Sequence, residues 1–387
     1  MTEKLYWKYP YKTSFKAEII EVKEEGLILD NTLFYPQGGG QVCDKGVIKK
    51  DNKEFNVKFV SKEGQNILHH LSGRFQDYLK QKDIINGEID WEYRYGVMRA
   101  HSSQHILSAL IKNEFDIDTS HANILFEDIS LQIAQRITYD QFKHILLEFN
   151  KICTIENHRF HSKFIPQKEI KNQKEIIRGK IPNEDVLRII EVENYDLICC
   201  GGTHVQNSTE IGTIYVYEFR KGRDIKFMVG NKAINEYSKQ NVDLIRIASS
   251  LNIPINKLPN KIEKQINLIS NLQEKNKTLA IKTLELIARN PNMTLNQINV
   301  GVMETELDYK VISKNFRNFP PNYLLIIKNK EDKIMVLSNS KNIKADDVVQ
   351  SLSKKYGGKG GGNPSSAQVT LQNKPKDIIS EIKLLLT

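Results

Sequence analysis

The chain has 387 residues, 56 Lys plus Arg against 47 Asp plus Glu, and a formal net charge of +9. That length supports two or three domains with cores of their own, and the charge permits a polyanionic partner such as RNA, although a solvated lysine-rich surface would give the same balance. No run of residues reaches transmembrane length, the first residues lack the apolar stretch of a secretory signal, and four cysteines in so long a chain exclude a disulfide framework; the expectation is a cytoplasmic protein whose thiols are reduced.

Residues 1–90 read mostly as strands. Short apolar runs at 14–22 and 25–30 are separated by a turn, and Phe55-Asn-Val-Lys-Phe alternates apolar and polar side chains. Between them lies Phe34-Tyr-Pro-Gln-Gly-Gly-Gly-Gln-Val-Cys-Asp-Lys-Gly46. Consecutive glycines let backbone approach a ligand closely. The segment lacks the Lys-Ser/Thr of a nucleotide phosphate loop and the Rossmann spacing, leaving a turn between barrel strands or a pocket wall. His69-His70 has no nearby metal-ligating partner and is read as the start of a helix.

Residues 99–113 form the next helix. Ile106, Leu107, Leu110 and Ile111 make its apolar stripe, and His101 and His105, four residues apart, stand on one face. This is also the spacing of the metallopeptidase zinc helix, but Ser102 stands where that motif needs its general-base Glu. Arg94 and Arg99, on the approach to this helix, are candidate phosphate contacts, since a guanidinium makes paired hydrogen bonds to phosphate oxygens. Helices are expected at 139–153 and, after Pro166, at 167–178, with a strand at 186–192.

Cys199-Cys200-Gly-Gly-Thr-His204 follows that strand. A thiol and an imidazole flanking two glycines are ordinary zinc ligands, and two short ligand pairs from distant segments make a tetrahedron. His101, His105, His204 and either Cys199 or Cys200 are the candidate set. Adjacent side chains of an extended segment face opposite ways, so one thiol is expected at the metal. Four protein ligands would close the shell and make the ion structural or orienting; a catalytic ion usually keeps a position open. Residues 211–219 are a strand and Lys221-Gly-Arg-Asp a basic turn.

From 231 to 290 the pattern is that of a helical hairpin, broken at Asn252-Ile-Pro254. The second run, Ile262, Ile266, Ile269, Leu272, Leu279 and Leu286, approaches a coiled-coil register that Asn276 and Thr283 interrupt. Residues 291–387 read as a small α/β domain. It has strands at 323–328 and 333–337, helices at 345–356 and 376–386, and a glycine-rich loop at 357–362 containing Lys359, which suits polyanion binding or dimer formation. Similar domains follow the catalytic half of certain phosphodiesterases, but their Asp-His-His metal motif is absent. The overall expectation is an α+β protein: a small β-barrel-like domain (1–90), an α/β zinc-containing core (91–230), a helical hairpin (231–290) and a C-terminal α/β domain (291–387).

Four segments in order, the glycine stretch 34–46, His101-Ser-Ser-Gln-His105, Cys200-Gly-Gly-Thr-His204 and Gly357-Gly-Lys-Gly-Gly-Gly-Asn-Pro-Ser-Ser-Ala-Gln368, resemble the free-standing alanyl-tRNA editing proteins. They are similar, too, to the editing and C-terminal domains of alanyl-tRNA synthetase. The resemblance implies a long-form editing protein that hydrolyses the ester of tRNA(Ala) mischarged with serine or, in some members, glycine. It implies one Zn2+ per chain on His101, His105, Cys200 and His204, and so selects Cys200 over Cys199. Thr119, Ser120 and Thr203 are the candidates to meet the serine hydroxyl, Thr119 first; Asp118 departs from the family, where synthetase versions often have Gln nearby, as does Cys199. Gly39, Gln41, Arg94, Arg99, Lys221, Arg223 and Lys359 are the expected RNA contacts, self-association is expected through the C-terminal region, and no side chain stands out as a general base. The other readings are a non-catalytic zinc-stabilised tRNA-binding protein and a metallohydrolase of another ester; a full synthetase is not expected, because no aminoacylation signature is visible.

Overall fold

The computed structural model describes every residue except 171–176, 306, 308, 330–332, 374, 376 and 387. It divides into two compact units, Met1–Ile247 and Ala248–Thr387.

The first unit begins with a closed six-stranded barrel. Its strands run, in spatial order, Ser14–Val22, Gly26–Leu29, Asn66–Leu71, Lys53–Glu63, Gly46–Lys50 and Ile84–Ile89. Period-two alternation explains the closure: Phe15, Ala17 and Ile19 of the first strand all point inward. They pack with Leu27, Phe34, Ile48, Val60 and Ile85. His69-His70, expected to start a helix, lies inside the strand Asn66–Leu71, because that segment has ladder partners on both sides. His69 is fully buried, with its Nε2 2.8 Å from Thr32 Oγ1 and its Nδ1 3.1 Å from the Leu27 carbonyl oxygen.

The barrel leads into one long helix, Trp91–Phe115, eight residues earlier than the apolar stripe suggests. Asp90 supplies the start by accepting a hydrogen bond from the Tyr93 N–H. The whole stretch 100–111 is buried, so the polar face carrying His101, Ser102, Ser103, Gln104, His105 and Ser108 is as enclosed as the apolar one. One side packs on a four-stranded antiparallel sheet in the order Tyr215–Arg220, Asp224–Met228, Asp128–Ile133, Thr119–Leu125 and on the helix Tyr139–Thr154. Thr138 and Gln141 cap that second helix reciprocally. A three-stranded sheet, Phe160–Pro166, Val186–Val192 and Asp196–Cys199, completes the enclosure. Of the helix expected at 167–178, the turn Gln167–Ile170 is helical, 171–176 fall outside the described residues, and Ile177 and Arg178 are not helical, Arg178 bridging to Ile198 instead.

Helices Gly230–Ser250 and Leu258–Arg289 follow, with the expected break between them. Ile266, Ile269, Leu272, Leu279 and Leu286 are exposed on the second helix. In the second unit a six-stranded sheet runs Met293–Leu295, Ile298–Glu304, Tyr323–Lys328, Lys333–Ser338, Ser366–Leu371, Gly358–Asn363. The helix Tyr309–Phe316 lies between the strands Ile298–Glu304 and Tyr323–Lys328, which pair in parallel. Ala345–Tyr356 is the expected helix, and the last expected one, 376–386, is found as Ile378–Leu386: Lys376 is outside the described residues and Asp377 precedes the helix. The glycine-rich segment is a strand rather than a loop. A Cβ at Gly360 or Gly362 would stand 2.4 or 2.3 Å from the carbonyl oxygens of Gln368 and Ser366, so the glycines serve the close pairing with Ser366–Leu371.

Candidate metal centre

The long helix and the end of the three-stranded sheet bring His101, His105, Cys200 and His204 together, each ligand atom within 4.8 Å of the others. Cys200 Sγ lies 3.5 Å from His101 Nε2 and 3.3 Å from His204 Nε2. Cys199 ends the strand Asp196–Cys199 and is not part of the group.

Each imidazole faces a different protein group through its other nitrogen. His101 Nδ1 is 2.6 Å from Gln41 Oε1, and His204 Nδ1 is 3.2 Å from Ser102 Oγ. His105 Nδ1 makes no hydrogen bond among the described residues but lies 3.6 Å from Asp196 Oδ2. Asp196 is held by Arg178 through bonds of 2.7 and 2.6 Å. Gln41 Oε1 can only accept, which places the His101 proton on Nδ1 and leaves its Nε2 lone pair facing the thiol; the Nε2 of His204 faces the same thiol. Burial drives all three imidazoles below their ordinary range, His101 to about 3, so they are neutral ligands. Burial raises the Cys200 thiol, a penalty that a divalent cation removes by binding the thiolate. Neutral nitrogens and one thiolate fit zinc.

The loop geometry is set by glycine and arginine. A Cβ on Gly202 would stand 2.1 Å from His101 Cε1 and 2.5 Å from Gln41 Oε1. The Gly202 N–H instead points at Cys200 Sγ, 3.4 Å away. Buried Arg188 donates to the carbonyl oxygens of Cys200 and Gly202 at 2.9 and 2.7 Å and to Ser162 Oγ at 2.9 Å. Trp7 Nε1 donates to the Gly201 carbonyl at 2.7 Å. Beside His101 and Cys200 opens a cleft of about 430 Å³, lined also by Gly201, Gly39, Arg188 and Trp7 among others.

The remaining expected site residues fall in several places. Gly39 lines the cleft at φ +61°. Gln41, expected at RNA, is buried: it accepts from His101 and the Thr203 N–H and donates to Thr203 Oγ1 at 3.0 Å. Thr203 is therefore tied to Gln41. Thr119 and Ser120 are neighbours on one strand, and Ser120 is the extra residue where the ladder with Asp128–Ile133 shifts register. Thr119 Oγ1 donates to Ser108 Oγ at 2.7 Å, and Gln104 Nε2 donates to the same Ser108 oxygen at 2.8 Å. Ser120 is exposed and bonds the Gln132 carbonyl.

Arg94 requires a correction as a phosphate contact. It has no exposure and is spent on Asp44, the Leu33 carbonyl and the Pro10 carbonyl, so no phosphate reaches it. Arg99 is partly buried, bonded to Glu127 and the Glu210 carbonyl, and lies over the Tyr95 ring. Lys221 is exposed at its turn, Arg223 half-buried beside it, and Lys359 exposed on the glycine strand.

Sequence reasoning missed Arg188, Asp196, Ser102 and Trp7. One signal was present: an arginine inside the apolar strand Leu187-Arg-Ile-Ile190 implies a buried partner. Ser102 and Trp7 gave none, because their partners are about a hundred or more residues away.

Three family models match parts of the chain: "tRNA synthetases class II (A)" over residues 3–93, "Threonyl and Alanyl tRNA synthetase second additional domain" over 187–239, and "DHHA1 domain" over 310–386. The chain is 29% identical to the alanyl-tRNA editing protein AlaX-L of Pyrococcus horikoshii, over 98% of this chain and 96% of that protein. It is 26% identical to an alanine–tRNA ligase of Sulfurisphaera tokodaii, over 99% of this chain but 44% of the ligase. A crystal structure of the C-Ala domain of Aquifex aeolicus alanyl-tRNA synthetase matches 23% of this chain and 86% of that domain, at 25% identity and a TM-score of 0.18.

Proposed function

This chain is related to the free-standing alanyl-tRNA editing proteins, and we propose that it is a trans-editing aminoacyl-tRNA deacylase that removes serine, and glycine as a second substrate, from mischarged tRNA(Ala). The observation that carries the reading is the group His101, His105, Cys200 and His204, of which His101 and Cys200 line the cleft. A zinc ion held there would supply fixed positive charge beside the ester that joins the amino acid to the terminal ribose.

The protein's own groups do the rest. Gln41 holds the His101 ring from behind, and Arg188 fixes the two carbonyls that flank Gly201. The N–H groups of Gly39 and Gly201 have no partner among the described residues and both residues line the cleft, so they are the donors assigned to charge developing on the ester oxygen. Gly202 is not: its N–H serves Cys200. Water attacks the carbonyl carbon, the acyl–oxygen bond breaks, and the departing ribose oxygen takes the proton that the water gives up, leaving a free hydroxyl and the amino acid's carboxylic acid; no side chain is assigned as general base. Thr119 is assigned to the serine hydroxyl. A site built around that hydrogen bond disfavours alanine, because its polar groups then stay unpaired.

The test incubates zinc-replete protein with seryl-, glycyl- and alanyl-tRNA(Ala). Release of serine with alanine spared supports the proposal. Intact seryl- and glycyl-tRNA in the presence of folded, metal-loaded protein rejects it and leaves a zinc-stabilised RNA-binding protein, the reading favoured by four protein ligands closing a shell.

A further inference from the structure

The mouth of the cleft has features that ester hydrolysis does not use. Three cations line the cleft, Lys4, Lys62 and Arg188, against one carboxylate, Glu184. Arg188 is occupied by the metal loop, but neither lysine forms a salt bridge or hydrogen bond through its ammonium group among the described residues. Burial and the proximity of Lys62 both hold Lys4 below its ordinary range, and Glu184 offsets this only in part. Two ammonium groups set on one rim repel each other until an anion arrives between them.

The lining is also aromatic. Phe164 stands beside Arg188 in the sheet ladder and is 49% exposed although it lines a concave surface. Val186, on the same face of the ladder and lining the same cleft, is 51% exposed. The Phe164 ring lies 5.8 Å from that of Trp7, and the Lys4 ammonium sits 4.3 Å above the indole. Apolar area left open inside a positively charged cleft suits a ligand that is flat at one end and anionic at the other.

We propose that the cleft mouth is a nucleotide subsite, in which Lys4 and Lys62 bracket the phosphodiester preceding the terminal nucleoside of a single-stranded RNA 3′ end and the exposed Phe164 ring stacks on its base. The choice of that end rests on the deacylase reading, since the ribose that bears the ester must reach Cys200 and His101 at the floor. The pairing of a cationic groove with an exposed ring is what single-stranded nucleic acid recognition uses.

The experiment measures binding of a 5′-labelled tetranucleotide ending in CCA, carrying no amino acid, to the full chain over a range of salt concentrations. Phe164→Ala is expected to weaken binding about tenfold, the scale of one base–aromatic stack, and Phe164→Trp to retain it. Lys4→Gln combined with Lys62→Gln is expected to weaken binding and to flatten the log–log salt dependence by about 0.7, the value for one released phosphate contact on a single strand. Wild-type affinity and salt slope in variants with unchanged circular dichroism and metal content overturn the subsite, as does a wild-type protein that does not bind the RNA at millimolar concentration. The two readings fail separately. Serine release by a protein whose RNA affinity ignores Phe164 and both lysines removes the subsite alone. RNA binding that depends on them, in a protein that hydrolyses no aminoacyl-tRNA, removes the deacylase reading alone.

Discussion

Gln41 Oε1 lies 2.6 Å from His101 Nδ1, a contact that ties the glycine turn after the barrel's early strands to the helix carrying two of the four ligands. The same oxygen accepts the Thr203 N–H, so one amide braces both halves of the metal centre. Gln41→Leu leaves the His101 N–H and the Thr203 N–H without a partner in a buried site. Loss of such an outer partner typically costs about 10–100-fold in metal affinity. Competition with a chromogenic chelator should show a shift of that size; an unchanged zinc affinity would remove Gln41 from the centre.

Gly201 and Gly202 are adjacent, and they should respond oppositely to alanine. A Cβ at Gly202 collides with His101 at 2.1 Å, whereas at Gly201 the nearest atom is Trp7 Cζ2 at 4.0 Å. Gly202→Ala should therefore lose bound metal, and Gly201→Ala should keep it. Metal content by atomic emission, read beside the melting temperature, decides the pair.

Thr119 reaches the interior through Ser108, whereas Ser120 points outward. Thr119→Val should slow serine release by about tenfold or more, the scale of one lost substrate hydrogen bond. Ser120→Ala should leave it unchanged, and both variants should hold wild-type zinc. Equal serine release by wild type and Thr119→Val rejects the assignment.

Arg94 and Asp44 form a buried ion pair between the long helix and the turn after Tyr35. Removing one partner of such a pair typically costs about 3–5 kcal/mol, because the other charge stays buried and unpaired. Arg94→Met should lower the urea midpoint accordingly. The variant that remains folded should bind tRNA like wild type, which separates this structural role from the phosphate contact first expected of it.

His69 links stability to pH. Burial lowers its folded pKa to about 4, against about 6.5 in the unfolded chain. Between those values the unfolded state binds the extra proton, so stability rises with pH through this window and falls as pH drops from 6.5 towards 4. The full effect is about 3 kcal/mol at one imidazole. The histidines of the metal centre shift in the same direction, so the measurement is the difference in pH slope between wild type and His69→Gln. Parallel unfolding curves from pH 4.5 to 7 would exclude His69 as a source.

Much of the architecture was readable from periodicity. Alternation in residues 14–22 places Phe15, Ala17 and Ile19 inside a barrel, and the stripe Ile106, Leu107, Leu110 and Ile111 marks a core helix. Two local signals misled. His69-His70 looked helical because spacing to Leu71 and Phe75 says nothing about the strands on either side, and the glycines at 358–362 looked like a loop because their role, close strand pairing, depends on a partner segment. Arg94 shows the same limit at a single side chain: a guanidinium before a helix is a surface cation until something buries it.

By itself the chain of residues determined the candidate ligand types and their pairing in short segments, because histidines four apart must share a helical face and a Cys-Gly-Gly-Thr-His run must turn tightly. Only the tertiary structure decided what stands behind each ligand: Gln41, Ser102, Asp196 and Arg188 contact the centre across the fold rather than along the chain. It also decided that Phe164, Lys4 and Lys62 share one cleft. Local spacing governs which side chains can meet on one element; long-range packing, which no short window of sequence contains, governs which elements meet.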